Sequence, residues 1–170
     1  MDKQVILLNG PSSSGKSTLA RMLQALILKK RGEWFEIVSI DDFLNMTAQD
    51  AIYEDDVFEI SQDLCKAAAE AAQNGTGVIV DHVITSKRIF DQLTKALHSF
   101  KLRLICVTCP LEVLKARETA RGNRCPGSAE ASHAFLAPKE GFDLTVDPHS
   151  MTTKACAERI FSHCFGGFDE

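Results

Sequence analysis

The sequence predicts an α/β protein with a mostly parallel, five-stranded sheet that carries helices on both faces. Short apolar runs typical of buried strands alternate with longer segments in which apolar residues recur at helical spacing. The first apolar run, residues 5–8, precedes the motif G-x-x-x-x-G-K-S/T at residues 10–17, and a helical pattern follows. This order of strand, loop and helix is typical of a phosphate-binding loop. We therefore predict a P-loop NTPase fold of the kind found in nucleotide and small-molecule kinases.

The first helix and the second strand follow this loop. Apolar residues recur at helical spacing between residues 19 and 27, and a basic run closed by a glycine at residues 29–32 is typical of a helix C-terminus. Residues 34–40 then predict a β-strand that ends at Asp41 and Asp42. In open α/β sheets ligands bind beyond the carboxyl ends of the strands, so both carboxylates are candidates for a functional site.

The second helix and the third strand repeat this arrangement. An irregular, partly acidic segment at residues 43–55 precedes apolar residues at helical spacing between residues 57 and 71. The third strand, residues 77–80, ends at Asp81 and His82. A further carboxylate is therefore predicted at the same edge of the sheet.

Four more elements complete the predicted fold. A helix with apolar positions between residues 89 and 97 and a strand at residues 102–107 precede a helix that runs toward residues 117–121. Residues 142–146 alternate between apolar and polar, whereas the earlier strands are continuous apolar runs. This alternation predicts a half-exposed edge strand, and the continuous apolar runs of the earlier strands predict central ones. A final helix is predicted over about residues 152–164.

A polar segment rich in helix-breaking residues follows the fourth helix. Residues 117–139 contain three arginines together with Gly122, Pro126 and Gly127, and a weakly helical stretch spans residues 129–136. Guanidinium groups match phosphate oxygens, and breaker residues permit hinge motion. We therefore predict a short lid, about residues 117–139, that closes over bound nucleotide.

The length and charge of the chain limit the classes of function. The 170 residues suit one P-loop kinase domain, residues 1–170, and 19 basic against 23 acidic residues give a net charge of −4. This balance argues against nucleic acid or an anionic membrane as the main partner. No apolar run reaches the length of a membrane span, and six cysteines are interpreted as free thiols. We expect a cytoplasmic protein that acts on a small molecule, and the sequence leaves its oligomeric state open.

The phosphate-binding loop predicts the nucleotide site. Its glycines let the backbone curl so that successive N–H groups face a phosphate, and Lys16 can reach the β- and γ-phosphates. The hydroxyl of Ser17 is a hard oxygen ligand suited to Mg²⁺. The loop implies ATP or GTP as the nucleotide, with Mg²⁺, bound by Gly10, Pro11, Ser12, Ser13, Ser14, Gly15, Lys16, Ser17 and Thr18.

Residues at the other strand ends predict the acceptor side of the site. Asp41 is placed to accept the proton of a substrate hydroxyl or to orient it, although a helix-capping role beside Asp42 is the alternative. Asp81 is a candidate ligand of Mg²⁺ or of the acceptor, and His82 is a candidate acceptor contact. Since two carboxylates repel an anion, we predict a neutral or weakly polar hydroxyl compound. It would bind between Asp41, Asp81 and the irregular segment around Phe43, Leu44, Met46 and Tyr53.

Five motifs together resemble the chloramphenicol phosphotransferase-like family of P-loop kinases. They are residues 10–18, Ile40-Asp41, Val78-Ile79-Val80-Asp81, residues 141–147 and the run Ala116-Arg117-Glu118-Thr119-Ala120-Arg121-Gly122-Asn123-Arg124. The resemblance covers nearly the whole chain, and the arginine-bearing run is its most specific part. It implies transfer of the γ-phosphoryl group of ATP to a hydroxyl, with Mg²⁺, as in chloramphenicol 3-O-phosphotransferase.

The resemblance also implies roles for single residues. Lys16 and Ser17 match nucleotide-binding residues of the family, Asp41 matches its base, and the arginine-bearing lid is matched by Arg117, Arg121 and Arg124. Where the family has a second acidic residue after the third strand, this chain has His82. The predicted catalytic residues are thus Lys16, Asp41 and the three arginines. Two alternatives remain, namely a metabolite kinase for a sugar acid or nucleoside, and a nucleotide-binding regulator without turnover.

Overall fold

A parallel sheet of five strands forms the centre of the structure, a computed structural model that describes residues 3–44 and 53–166. The strands are β1 (Gln4–Asn9), β2 (Phe35–Ser39), β3 (Gly77–His82), β4 (Lys101–Val107) and β5 (Leu144–Val146). Their order across the sheet is β2-β3-β1-β4-β5, and every neighbouring pair runs parallel. The helices are α1 (Lys16–Arg31), α2 (Glu54–Gln73), α3 (Lys87–Ala96), α4 (Leu111–Arg121), α5 (Ser128–Phe135) and α6 (Thr153–Phe165).

Strand β1 supplies alternate residues to two apolar layers, one on each face of the sheet. Val5 and Leu7 join the layer under α2 and α3, while Ile6 and Leu8 join the layer under α1 and α6. This alternation follows from the two-residue repeat of side-chain direction along a strand. All four side chains are fully buried, which explains why β1 is a continuous apolar run. The predicted α/β fold, with a five-stranded sheet and helices on both faces, is confirmed.

The two edges of the sheet are formed by β5 and β2. The edge position of β5 agrees with its alternating sequence. The prediction was wrong for β2, which it placed among the central strands. β2 lies at the opposite edge, and within it Glu36 is exposed while Phe35 and Val38 are buried. A five-residue strand with two polar residues carries too little pattern to separate an edge strand from a central one.

The carboxyl ends of β1, β2 and β3 lie at the same end of the sheet, because the strands are parallel. Register pairs Leu8 of β1 and Ser39 of β2 with Asp81 of β3. A short 3₁₀ helix, Ile40–Asp42, follows β2 directly, and the phosphate-binding loop follows β1. Strand register therefore brings Asp81 to the same end of the sheet as the phosphate-binding loop and the 3₁₀ helix that contains Asp41.

Two properties of the described residues complete the picture of the fold. None of the helices within residues 3–44 and 53–166 is long and apolar enough to cross a membrane. The six cysteines are free, and burial raises the pKa of thiols such as those of Cys65 and Cys164, in both cases to about 11. A raised pKa keeps a thiol protonated and unreactive at neutral pH, so Cys65 and Cys164 act as small apolar residues.

Candidate active site

The loop between β1 and α1 is tightly curled, and its shape depends on its two glycines. A Cβ added at Gly10 would lie 2.2 Å from the carbonyl oxygen of Val107, so only glycine fits between β1 and β4 there. Gly15 caps α1 with a φ of 98°, in the left-handed region that favours glycine. The loop thus turns its backbone around the N-terminus of a 16-residue helix, where anions bind.

Lys16 is a buried cation at the centre of this loop. Its side chain donates hydrogen bonds to the carbonyl oxygen of Pro11, at 2.9 Å, and to the hydroxyl of Ser14, at 3.5 Å. The residue is only 6% exposed. Burial lowers the pKa of Lys16, and the negative charges of Asp81 and Asp41 act in the opposite direction. A buried ammonium that hydrogen-bonds neutral oxygens is stabilised by a bound anion, so the loop fits a phosphate group.

The two predicted magnesium ligands lie together. The Ser17 hydroxyl donates a hydrogen bond to Oδ2 of Asp81 at 2.8 Å, and the Ser39 hydroxyl lies 3.3 Å from the same oxygen. Asp81 is 3% exposed. Within the described part of the chain, no group of three or more histidine, cysteine or acidic residues could hold a metal by itself. Mg²⁺ usually takes one or two protein oxygens and fills its other positions with phosphate oxygens and water, and these two side chains fit that pattern.

Arginines from α4 surround the loop on its open side. Arg117 donates from Nη1 to the carbonyl oxygens of Ser13, at 3.3 Å, and Ser14, at 3.2 Å. Nη1 of Arg121 lies 3.5 Å from the Ser13 hydroxyl. Burial lowers the pKa of Arg121, and the nearby charge of Arg124 adds to this effect. Several cations packed around one loop repel each other, and a polyanionic ligand relieves that repulsion.

Asp41 and Arg124 form an ion pair at the mouth of the site. Nη2 of Arg124 donates to Oδ2 of Asp41 at 2.7 Å, and the Arg124 side chain is 10% exposed against 40% for Asp41. Asp41 belongs to the 3₁₀ helix after β2, where the Ser39 hydroxyl accepts its backbone N–H at 3.3 Å. That capping role falls to Ser39, so the Asp41 carboxylate itself points to the ion pair and the open cleft.

Two adjoining cavities meet at this ion pair, and Asp41 and Arg124 line both of them. The phosphate cavity has a volume of about 700 Å³ and is bounded by Lys16, Ser17, Asp81, Arg117 and Arg121. The apolar cavity has a volume of about 580 Å³ and is bounded by Leu44, Tyr53, Val57, Pro126, Ala131 and Phe135. Both volumes lie in the range of small-molecule sites. One cavity therefore suits a polyanion and the other suits an apolar molecule, and the two cavities meet at the carboxylate of Asp41.

The structure changes the predicted acceptor contacts. Phe43 packs against the apolar layer under α2 and α3 and does not line the apolar cavity, whereas Leu44 and Tyr53 do line it. Met46 lies outside the described residues. Asp81 lines the phosphate cavity only, so its place supports a metal role rather than an acceptor contact. The carboxylate that joins Asp41 in the apolar cavity is Glu54, which the sequence reasoning missed.

His82 does not reach either cavity, contrary to the prediction that it contacts the acceptor. Asp81 bonds to Ser17 of α1, whereas Nε2 of His82 lies 3.0 Å from the hydroxyl of Ser61 in α2, on the other face of the sheet. Successive residues of a strand face opposite sides, so the two neighbours cannot both enter the site. His82 is fully buried and links β3 to α2.

His82 leads to a prediction about pH and stability. Burial, followed by the charge of Lys16, lowers the pKa of His82 from 6.5 to about 3. Between these two pKa values the unfolded chain therefore binds one more proton than the folded chain. The contribution of neutral His82 to the free energy of unfolding is complete above pH 6.5 and is lost as the pH falls toward 3. We expect this histidine to remove up to about 1.4 kcal/mol of unfolding free energy per pH unit in that window.

Urea unfolding at several pH values measures this effect. His82→Gln keeps a hydrogen-bonding group but cannot take up the proton, so its stability should fall less steeply on acidification than that of the wild type. His98→Gln, at an exposed position, is the matched control and should keep the wild-type slope. Equal slopes for the wild type and His82→Gln would contradict the buried, neutral state of His82.

The predicted lid consists of the end of α4, a connection over residues 122–127, and α5. Ala129 is fully buried against Cys109 and Leu114. The Ser132 hydroxyl accepts the backbone N–H of Ser12 at 3.0 Å, which joins α5 to the phosphate-binding loop. In this structure the lid is thus packed on the domain, and its closure over nucleotide stays a prediction. Ser132 was missed because an isolated serine in a weakly helical stretch carries no signal of its distant partner.

The sequence was compared with models of protein families and with curated proteins. A family model for chloramphenicol phosphotransferase-like proteins matches residues 3–165. No curated protein sequence matches the chain.

Solved structures are similar in fold at low sequence identity. The APS kinase CysC of Mycobacterium tuberculosis, in complex with AMPPNP and APS, is 16% identical with a TM-score of 0.78, covering 96% of this chain and 98% of that one. A sugar kinase from Janibacter sp. HTCC2649 is 19% identical with a TM-score of 0.75, covering 95% and 94%. A tunicamycin resistance protein from Deinococcus radiodurans is 18% identical with a TM-score of 0.66, covering 96% of each chain. At these identities the likeness concerns the fold.

Proposed function

Because the chain belongs to the chloramphenicol phosphotransferase-like family, we propose that it transfers the γ-phosphoryl group of ATP to a hydroxyl of a small neutral molecule. The observation that carries this proposal is the meeting of the phosphate cavity and the apolar cavity at Asp41 and Arg124. Phosphoryl transfer needs the nucleotide and the acceptor on either side of one base, and this geometry supplies those places.

The basic residues of the site supply charge neutralisation. Negative charge accumulates on the oxygens of the transferred group and of the leaving phosphate, so cations placed around the loop lower the barrier. Lys16, Arg117 and Arg121 surround the phosphate-binding loop and are suited to this role. Mg²⁺, held at Ser17 and Asp81, would add neutralisation of the phosphate oxygens.

Asp41 is placed to act as the base. In the proposed reaction the acceptor oxygen bonds to the γ-phosphorus, the bond from that phosphorus to the β,γ-bridging oxygen breaks, and ADP leaves. The hydroxyl proton passes to the carboxylate of Asp41. Arg124 fixes the orientation of that carboxylate through the 2.7 Å ion pair and keeps a cation at the junction of the two cavities.

The charges of the apolar cavity favour a neutral acceptor. Its walls are mainly aliphatic and aromatic, and its carboxylates are Asp41 and Glu54. Hydrogen bonds from Arg88 and Ser86 lower the pKa of Glu54 and keep it negative at neutral pH. Arg124 pairs with Asp41, and Arg88 is shared between Glu54 and Asp55, so these three carboxylates and two arginines carry a net negative charge. An acceptor that carries its own carboxylate would lose hydration there and meet a second carboxylate, so sugar acids are disfavoured.

The test compares acceptor-dependent release of ADP from ATP·Mg²⁺ across chloramphenicol, other neutral alcohols, nucleosides and sugar acids. We expect neutral alcohols with an apolar body to give the highest kcat/KM, and each neutral alcohol to exceed its carboxylate counterpart by about 10-fold or more. ATP hydrolysis without acceptor is the baseline. A clear preference for sugar acids or nucleosides would contradict the acceptor class, and nucleotide binding without any transfer would favour a regulator.

A further inference from the structure

The start of α5 is capped by a side chain from a different helix. Oε1 of Glu118, in α4, accepts the backbone N–H of Ala129 at 2.8 Å, and Oε2 accepts the backbone N–H of Gly127 at 3.1 Å. Gly127 is the N-cap residue of α5 and has a φ of 91°, so it offers no side chain to satisfy these donors. A carboxylate that bonds two free N–H groups at a helix N-terminus makes charge-assisted hydrogen bonds and complements the helix dipole.

The same helix also contacts the phosphate-binding loop. Arg117 and Arg121 lie on either side of Glu118 in the sequence of α4 and donate hydrogen bonds to Ser13 and Ser14. An α-helix is stiff over three turns, since each turn is fixed by backbone hydrogen bonds. Any shift of the arginines on binding of a triphosphate would therefore be carried along α4 to Glu118.

The connection between α4 and α5 forms part of the acceptor side. Arg124 within it pairs with Asp41, and Cys125 and Pro126 line the apolar cavity. Gly122 and Gly127 bound this connection, both with a positive φ, and neither has a side chain that could anchor it. Its position thus depends on the Arg124–Asp41 ion pair and on where α4 ends and α5 begins, and Glu118 joins these last two points directly.

We propose that Glu118 is a positioning residue that makes the acceptor wall, residues 122–128, respond to the phosphates held by the arginines of its own helix. The proposal rests on the proposed function, because it assigns an acceptor to the apolar cavity. Glu118 contacts neither cavity itself and acts through the N-terminus of α5. Its loss should weaken acceptor binding while leaving nucleotide binding in place.

The kinetic test uses Glu118→Gln with Glu130→Gln as the matched control. Glutamine keeps the size of the side chain but presents an NH₂ group to one of the two N–H donors, so the KM for the acceptor should rise about 10-fold or more while the KM for ATP stays near that of the wild type. Glu130 lies in the first turn of α5, is exposed, and pairs only across 3.7 Å with Lys115 among the described residues. Its variant should retain wild-type kinetics.

A second measurement needs no acceptor. Hydrogen exchange with and without AMPPNP should show nucleotide-dependent protection of residues 122–131 in the wild type and in Glu130→Gln, and loss of this response in Glu118→Gln, while the phosphate-binding loop remains protected by nucleotide in all three. Glu118→Asp, which keeps the charge on a shorter stem, should restore part of the response.

Two results would overturn the proposal. One is an unchanged response of residues 122–131 in Glu118→Gln. The other is an equal loss of nucleotide binding and α5 protection in that variant, which would assign Glu118 to the general stability of the lid. If wild-type protein phosphorylates none of the acceptors, the proposed function fails, and the exchange measurement still decides whether Glu118 couples α5 to nucleotide.

Discussion

Replacing Lys16 with alanine is expected to lower the rate of phosphoryl transfer by about 10³-fold or more while the domain stays folded. The Lys16 ammonium is buried in the loop and lines the phosphate cavity, so in the proposed reaction it would neutralise charge on the phosphates. Its hydrogen bonds in this structure go to a carbonyl and a hydroxyl within the loop. Removing a desolvated charge with a lowered pKa costs the fold little, because burial of that charge is itself unfavourable.

Turnover and thermal unfolding of the Lys16→Ala variant measure the two parts of this prediction. Lys29→Ala is the control, because Lys29 is exposed at the C-terminal end of the same helix and lies away from both cavities. It should match the wild type in turnover. A folded Lys16→Ala protein with normal turnover would contradict the assignment of the loop to the transferred phosphates.

Replacing Asp41 with asparagine is expected to lower turnover by about 10²-fold or more, with ATP affinity little changed. Asparagine keeps the size of the side chain and one acceptor for Arg124, but it cannot take up the proton of the acceptor hydroxyl. The ion pair with Arg124 lies at the junction of the cavities, so losing the charge should also relax the acceptor side. Nucleotide binding depends mainly on the loop and should remain.

Asp42→Asn is the matched control for this variant. Asp42 is the next residue of the same 3₁₀ helix, is exposed, and lines neither cavity. Its replacement should leave turnover near the wild-type value. If Asp42→Asn were the more damaging change, the assignment of the base at the end of β2 would be wrong.

Local sequence patterns determined the elements of this fold and one half of its site. Apolar runs with strand periodicity placed β1 and β3, and helical spacing placed α1, α2 and α6, because each pattern records which face of an element is buried. The glycines of the loop and the lysine and serine after them form one continuous motif, so the phosphate side could be predicted without knowing any long-range contact.

The rest of the site depends on residues that are distant in the sequence. Ser17 and Asp81 are 64 residues apart and were placed together by prediction because parallel strands share an edge. No comparable rule places Glu54 in the apolar cavity or Glu118 at the start of α5, since each depends on how one helix packs against another element. A single acidic residue on a helix has the same sequence pattern whether it faces water or a distant N–H group.

The position of His82 shows most clearly what the sequence alone could not predict. The sequence determined that it follows Asp81 at the end of a strand, and from this position both residues were predicted to lie in the site. The tertiary structure decided between them, because α1 covers one face of the sheet and α2 the other. With side chains alternating along β3, Asp81 turns toward Ser17 and the phosphate cavity, and His82 turns into the interior toward Ser61. Which face holds the site is set by the packing of the helices, and that information lies in contacts between segments rather than within any one of them.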